Sequence, residues 1–127
     1  MVQKYQSVVQ HAIQIKGYVV NEFGRRYYIK NSRFAYKCGN YLIQGTCADA
    51  VKEIQIKVYR LLKDKHLRTR VIISVHDEII IEVADGEDFI IKDIINIMQD
   101  QKWALCPFKV EPEMFTDNWA NKSEVSL

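Results

Sequence analysis

Hydrophobic positions in the first third of the chain recur at two different periods. Val8, Val9, Ala12, Ile13 and Ile15 follow helical spacing and stop at Gly17, which predicts a short amphipathic helix with a glycine stop. Tyr18-Val19-Val20 and Arg26-Tyr27-Tyr28-Ile29 then flank Asn21-Glu22-Phe23-Gly24, a β-hairpin pattern with glycine at the bend. Residues 31–40 carry neither period and read as a loop or as the start of the next helix. Cys47, Val51, Ile54, Val58 and Leu61 advance in steps of four, three, four and three. That spacing predicts a helix over about 44–63 with one buried stripe, leaving Lys52, Glu53, Lys57 and Arg60 on other faces.

The second half changes character. Val71-Ile72-Ile73-Ser74-Val75 and Ile79-Ile80-Ile81-Glu82-Val83 are β-branched runs of strand length, with His76-Asp77-Glu78 between them. They predict an apolar hairpin over about 70–84 with its acids at the tip. Asp85 is placed to cap a helix over about 86–101, with Glu87 and Asp88 against its positive end. Phe108-Lys109-Val110-Glu111 alternates like one further strand. The expected class is α+β, an antiparallel sheet centred on the 70–84 hairpin with helices packed on one face.

Length and composition narrow the function classes. A chain of 127 residues, 48% hydrophobic and 27% charged, fits one globular domain and is neither disordered nor membrane-spanning. The first residues, Met1-Val2-Gln3-Lys4-Tyr5, hold no apolar export signal, so a cytoplasmic location is expected. Cys38, Cys47 and Cys106 are odd in number and lack C-x-x-C spacing, which supports neither a disulfide framework nor a zinc site. The net charge of +2 conceals a division. Residues 1–70 carry +10 and residues 71–127 carry −8. A basic half suits a phosphate backbone, and an acidic half suits divalent cations or a basic partner.

Candidate chemistry lies where these halves present side chains. Asp77 and Glu78, in a tight turn between rigid apolar strands, could fix a carboxylate for a hard cation such as Mg²⁺. Solvated turn acids are the plainer reading. His76 is a turn residue or a donor to phosphate or sugar. Asn40 and Gln44, four apart, share a helix face if the helix starts early enough, and amides suit base-edge contacts; otherwise Gln44-Gly45-Thr46 is a polar capping turn. Arg25 and Arg26, after the first bend, could clamp phosphates or simply keep a sheet edge soluble.

Three ordered segments resemble the end of a family A DNA polymerase, the bacterial DNA polymerase I type. Gly17-Tyr18-Val19 with Phe23-Gly24-Arg25-Arg26-Tyr27-Tyr28-Ile29 is similar to that family's G-Y-V…GRR-x-Y-L hairpin. Asn40-x-x-x-Gln44-Gly45-Thr46-x-Ala48-Asp49 is similar to its N-x-x-x-Q-G-T-A-A-D helix. Val75-His76-Asp77-Glu78-Ile79-Ile80-Ile81-Glu82-Val83 is similar to its palm motif V-H-D-E-x-x-x-E-V, and Asn118-Trp119 to its closing N-W.

The resemblance implies that Asp77 binds catalytic Mg²⁺, that Glu78 supports it and that His76 touches the primer terminus. It further implies that Asn40 and Gln44 meet the minor groove near the new base pair, and that Arg25 and Arg26 lie along primer–template DNA. Tyr36 stands where an arginine is expected, with Lys37 or Arg33 nearby as substitutes. The fold implied is polymerase palm-like, a single partial domain over 1–127 with a flexible tail over 120–127. The family's other palm aspartate and its fingers helix have no counterpart here. The expected partners are therefore primer–template DNA, dNTP and a second chain bringing fingers, thumb and that aspartate. The isolated chain is expected to be inactive and prone to homo-oligomerise through its apolar hairpin, without membrane contact. A non-catalytic nucleic-acid-binding module and a polymerase remnant are the alternatives. A nuclease built on Asp77 and Glu78 is disfavoured because Glu82, four residues along the strand from Glu78 and about 13 Å away, cannot join them in one cluster.

Overall fold

Gly17 ends the first helix by adopting φ +74, a backbone conformation that costs most residues about 1–2 kcal/mol, while its N–H still reaches the Ile13 carbonyl at 2.8 Å. The computed structural model describes residues 2–125. In chain order the elements are α1 (Val2–Lys16), β1 (Tyr18–Val20), β2 (Arg26–Tyr28), a 3-10 helix (Ser32–Lys37) and α2 (Cys38–Asp64). There follow β3 (Arg70–Val75), β4 (Glu78–Glu82), α3 (Ile90–Gln99), β5 (Glu113–Met114), a second 3-10 helix (Trp119–Asn121) and β6 (Ser123–Glu124). The class is α+β. Among the described residues the strands form three separate two-stranded pairs, β1–β2, β3–β4 and β5–β6, rather than the one sheet expected from the sequence. No helix among the described residues is long and apolar enough to cross a membrane.

The chain folds into two compact units. One is built from the chain up to Glu53 together with Val75–Glu78, the other from Ile54–Ser74 and the chain from Ile79 onward. In the first, Val9, Ile13, Val19, Ala35 and Cys38 form a core with Ala12, Tyr27, Ile29 and Leu42 packed against it. Each large aliphatic side chain buried there contributes about 1.5–3 kcal/mol. The register of β1–β2 pairs Tyr18 with Tyr28, Val19 with Tyr27 and Val20 with Arg26. Burial of Cys38 also raises its thiol pKa.

In the second unit, Ile54, Val58 and Leu62 line one side of α2 and meet Ile90 and Ile94 of α3. Glu87 braces the entrance to β3. Its carboxylate accepts the Thr69 hydroxyl at 2.5 Å and the Thr69 and Arg68 N–H groups at 2.8 and 3.0 Å, and these bonds hold its pKa down.

Several expected elements move. Helix α2 begins at Cys38 rather than near 44, because the 3-10 helix feeds directly into it. Its buried line runs through Ala50, Ile54, Val58 and Leu62, leaving Cys47 exposed. Asp85 does not cap α3. Gly86 turns at φ +82, Glu87 is spent on Thr69, and the helix starts at Ile90 behind Phe89, which makes no side-chain cap bond. Phe108–Glu111 forms no strand, and Phe108 packs edge-on against Trp103. Within the segment expected to trail as a tail, Ser123–Glu124 pairs with Glu113–Met114, and residues 126 and 127 lie outside the described range.

Candidate nucleic-acid interface

The apolar strands β3 and β4 are joined by only two residues, His76 and Asp77, with Glu78 opening β4. His76 takes φ +55, the left-handed region that such tight turns demand and that glycine meets most cheaply. A histidine held there costs about 1 kcal/mol, which the paired strands offset. His76, Asp77 and Glu78 are all exposed, so the turn presents carboxylate oxygen outward on a stiff base. Oxygen is the donor that Mg²⁺ takes, with one or two carboxylates, several waters and substrate phosphate completing its shell. Asp77 fits one corner of such a shell. Among the described residues no group of three or more His, Cys, Asp or Glu converges to hold a metal.

The turn Val75–Glu78 belongs to the same compact unit as the first half of α2. There Asn40 and Gln44 lie inside the helix, one turn apart on one face, and both are exposed. Gln44-Gly45-Thr46 is therefore not a capping turn. Thr46 instead donates its hydroxyl to the Leu42 carbonyl at 2.6 Å, satisfying itself within the helix. Cys47 is also exposed, three residues beyond Gln44. Just before α2, the exposed rings of Phe34 and Tyr36 are bracketed by Lys37, whose ammonium sits 4.9 and 5.8 Å from their centroids. Lys37 thus supplies a cation beside Tyr36.

The two arginines of the first hairpin have different surroundings. Strand alternation sends neighbours to opposite faces. Arg25 turns toward α2 and grips Asp49 with two bonds, Nε to Oδ2 at 2.8 Å and Nη2 to Oδ1 at 2.6 Å. Asp49 also accepts Asn21 Nδ2 at 2.8 Å, and Lys52 stands 3.8 Å away. The Arg25 bonds, then Asn21, then the nearby positive charge hold the Asp49 carboxyl at about 2, against the opposing pull of its burial. Asn21 is itself buried, and its Oδ1 accepts the Phe23 and Arg25 N–H groups at 3.1 and 2.8 Å.

One turn before Asp49, the Tyr27 ring lies directly on Gly45. A Cβ at that position would run into its hydroxyl and stand 2.6 Å from Cζ. Arg26 faces away from this seam. Its guanidinium lies 5.1 Å from the Tyr18 ring, which packs 5.3 Å from Tyr28, and it remains exposed.

Asp49 and Asn21 are the residues that sequence reasoning passed over. Asp49 closes the Gln44-Gly45-Thr46-x-Ala48-Asp49 segment, but its partner lies 24 residues away and leaves no periodic trace.

Comparison with known proteins bears on this geometry. Residues 1–121 match the sequence profile of DNA polymerase family A. DNA polymerase I of Caldicellulosiruptor bescii is 36% identical over 105 residues, covering 75% of this chain and 12% of the relative. DNA polymerase I of Bacillus subtilis is 37% identical over 113 residues, covering 81% of this chain and 13% of the relative. The chain thus spans a small part of the length of these curated relatives. Among solved structures, the polymerase domain of Pol1 from M. smegmatis, in complex with DNA primer–template and dNTP, matches with a TM-score of 0.69. It is 32% identical, over 78% of this chain and 19% of that one.

Proposed function

The chain belongs to DNA polymerase family A, and we propose that it is the C-terminal palm piece of a DNA-directed DNA polymerase. In this reading Asp77 supplies one carboxylate to a two-metal Mg²⁺ site, and Glu78 supports it from the adjoining strand end. The metal pair stabilises the attacking 3′-hydroxyl oxygen of the primer and the oxygen leaving the α-phosphate of the dNTP. His76 meets the primer terminus. Asn40 and Gln44 offer amides to the minor groove, whose shared acceptors suit a sequence-tolerant check on the last base pairs. The observation that carries the reading is an exposed Asp77 on a two-residue turn, within the compact unit that also exposes Asn40 and Gln44.

A single carboxylate corner does not complete a two-metal site. The fingers, the thumb and the other palm aspartate are supplied from outside these residues, as a second chain would supply them, and the 127 residues alone add no nucleotide. Ile72 and Ile73, adjacent on β3 and therefore on its opposite faces, each leave exposed apolar area for the rest of a palm to cover. Left uncovered, that surface favours association between copies of the isolated chain. The assembly works on DNA in the cytoplasm.

The test is single-nucleotide addition by the chain combined with a family A fragment carrying the missing elements. Asp77→Ala should abolish Mg²⁺-dependent addition while leaving primer–template binding within about twofold. Undiminished addition by Asp77→Ala would remove the metal assignment.

A further inference from the structure

Arg25 and Arg26 are adjacent in a basic hairpin and read alike in sequence, yet their surroundings differ. The Arg25 charge is matched internally by a carboxylate that is 9% exposed, and both of its short bonds point at helix α2. Among the described residues no carboxylate pairs with Arg26, whose guanidinium lies over the half-buried Tyr18 ring that packs against exposed Tyr28. The connection between hairpin and helix runs through a polar hub. Asn21 holds the bend by accepting two of its backbone N–H groups and passes its own amide to Asp49. Tyr27 seated on Gly45 makes a second fixed point one helical turn away, on the face that carries Asp49. Two anchors on one face fix both the distance and the rotation of a two-stranded ribbon that would be mobile by itself.

Resting on the polymerase reading above, we propose that Asp49 is a positioning residue that acts through Arg25 and Asn21. It sets the hairpin so that Arg26, rather than Arg25, meets a DNA phosphate in register with the Asn40–Gln44 face. Arg25 is then a strut. The difference is one of chemistry at the phosphate. A contacting guanidinium displaces condensed cations and adds about 0.9 to the slope of log affinity against log salt, whereas an arginine neutralised within the protein adds nothing. Positioning also makes contributions interdependent, because a guanidinium on a loosened ribbon no longer finds its phosphate.

The experiment measures binding of a fluorescent primer–template by the full chain across a range of NaCl concentrations, for wild type, Arg26→Gln, Asp49→Asn and the double variant. Hydrogen exchange of the amides in 18–28 is followed in parallel, under conditions where each variant is folded. Arg26→Gln should weaken binding and lower the salt slope by about one. Asp49→Asn should weaken binding about three- to tenfold and speed exchange in the hairpin. In the double variant the Arg26 substitution should then cost less than twofold more.

A purely stabilising Asp49 predicts multiplicative losses, and multiplicative losses overturn the positioning role. Unchanged hairpin exchange in Asp49→Asn overturns it as well. Faster exchange in the hairpin, together with no primer–template binding by any of the four proteins, instead overturns the polymerase reading on which the role of Arg26 rests.

Discussion

Acid titration of the Asp49 seam gives a quantitative check on the first unit. A carboxyl with an ordinary pKa of 3.8, held at about 2 in the folded chain, is charged there over a pH range where the unfolded chain takes up a proton. Because the folded value is the lower one, its stabilising contribution is fully present above 3.8 and disappears as pH falls toward 2. At full strength the difference amounts to about 2.5 kcal/mol. The Arg25 side chain is 53% exposed and would partly recover hydration on losing its partner, so about 1–2 kcal/mol is the expected size.

The perturbation is Asp49→Asn, which keeps the shape and removes the charge. Urea unfolding of both proteins, followed by far-UV circular dichroism from pH 2 to 6, reads it out. Glu87 and Glu111, whose pKa values are also held down, titrate alike in both proteins and drop out of the difference. Wild type should exceed the variant by about 1–2 kcal/mol at pH 6, and the gap should close as pH approaches 2. A gap of constant size, or none at pH 6, would refute the assignment of Asp49 as the charged anchor.

Three further substitutions follow from the same geometry. Gly45→Ala should destabilise the chain by about 1–2 kcal/mol in thermal unfolding, because displacing the Tyr27 ring outweighs the roughly 1 kcal/mol that alanine normally gains inside a helix; a more stable variant would contradict the close seat. His76→Gly should raise stability by about 0.5 kcal/mol through relief of its positive φ, less the entropy that glycine adds to the unfolded chain; a loss above about 1 kcal/mol would mean the histidine side chain holds the turn. Asp77→Ala, at an exposed turn position, should leave the unfolding midpoint within about 0.5 kcal/mol of wild type, and a larger loss would point to a structural role.

The parts of this architecture that were legible in sequence are those governed by short-range pattern. The α1–Gly17 stop, the hairpin around Asn21–Gly24 and the apolar strands on either side of His76-Asp77 each declare themselves within a few residues, and each is present. The start of α2 was hidden because Ser32–Lys37 forms a 3-10 helix that runs directly into it at Cys38. The false cap at Asp85 had a tertiary cause. Glu87, which local rules assign to the helix N-terminus, is drawn instead to Thr69 and Arg68, residues distant in sequence. The buried line of α2 runs through Ala50 and Leu62, with Cys47 exposed and Leu61 half-buried against the same core.

At the candidate site, the exposed residues Asn40, Gln44, His76, Asp77 and Glu78 were legible as residue types in recognisable motifs. The different fates of Arg25 and Arg26 were not. Adjacent arginines look identical until the strand is folded, and the carboxylate that separates them lies on another element.

On the proposed reading, this chain completes a polymerase active site that it does not contain alone. Single-nucleotide primer extension in Mg²⁺ tests it most directly, comparing the 127-residue chain, a complementing family A fragment with fingers, thumb and the other palm aspartate, and the two combined. No extension by either component and measurable extension by the mixture are expected. Extension by the chain alone, or a folded mixture that binds primer–template and adds no nucleotide, would contradict that reading.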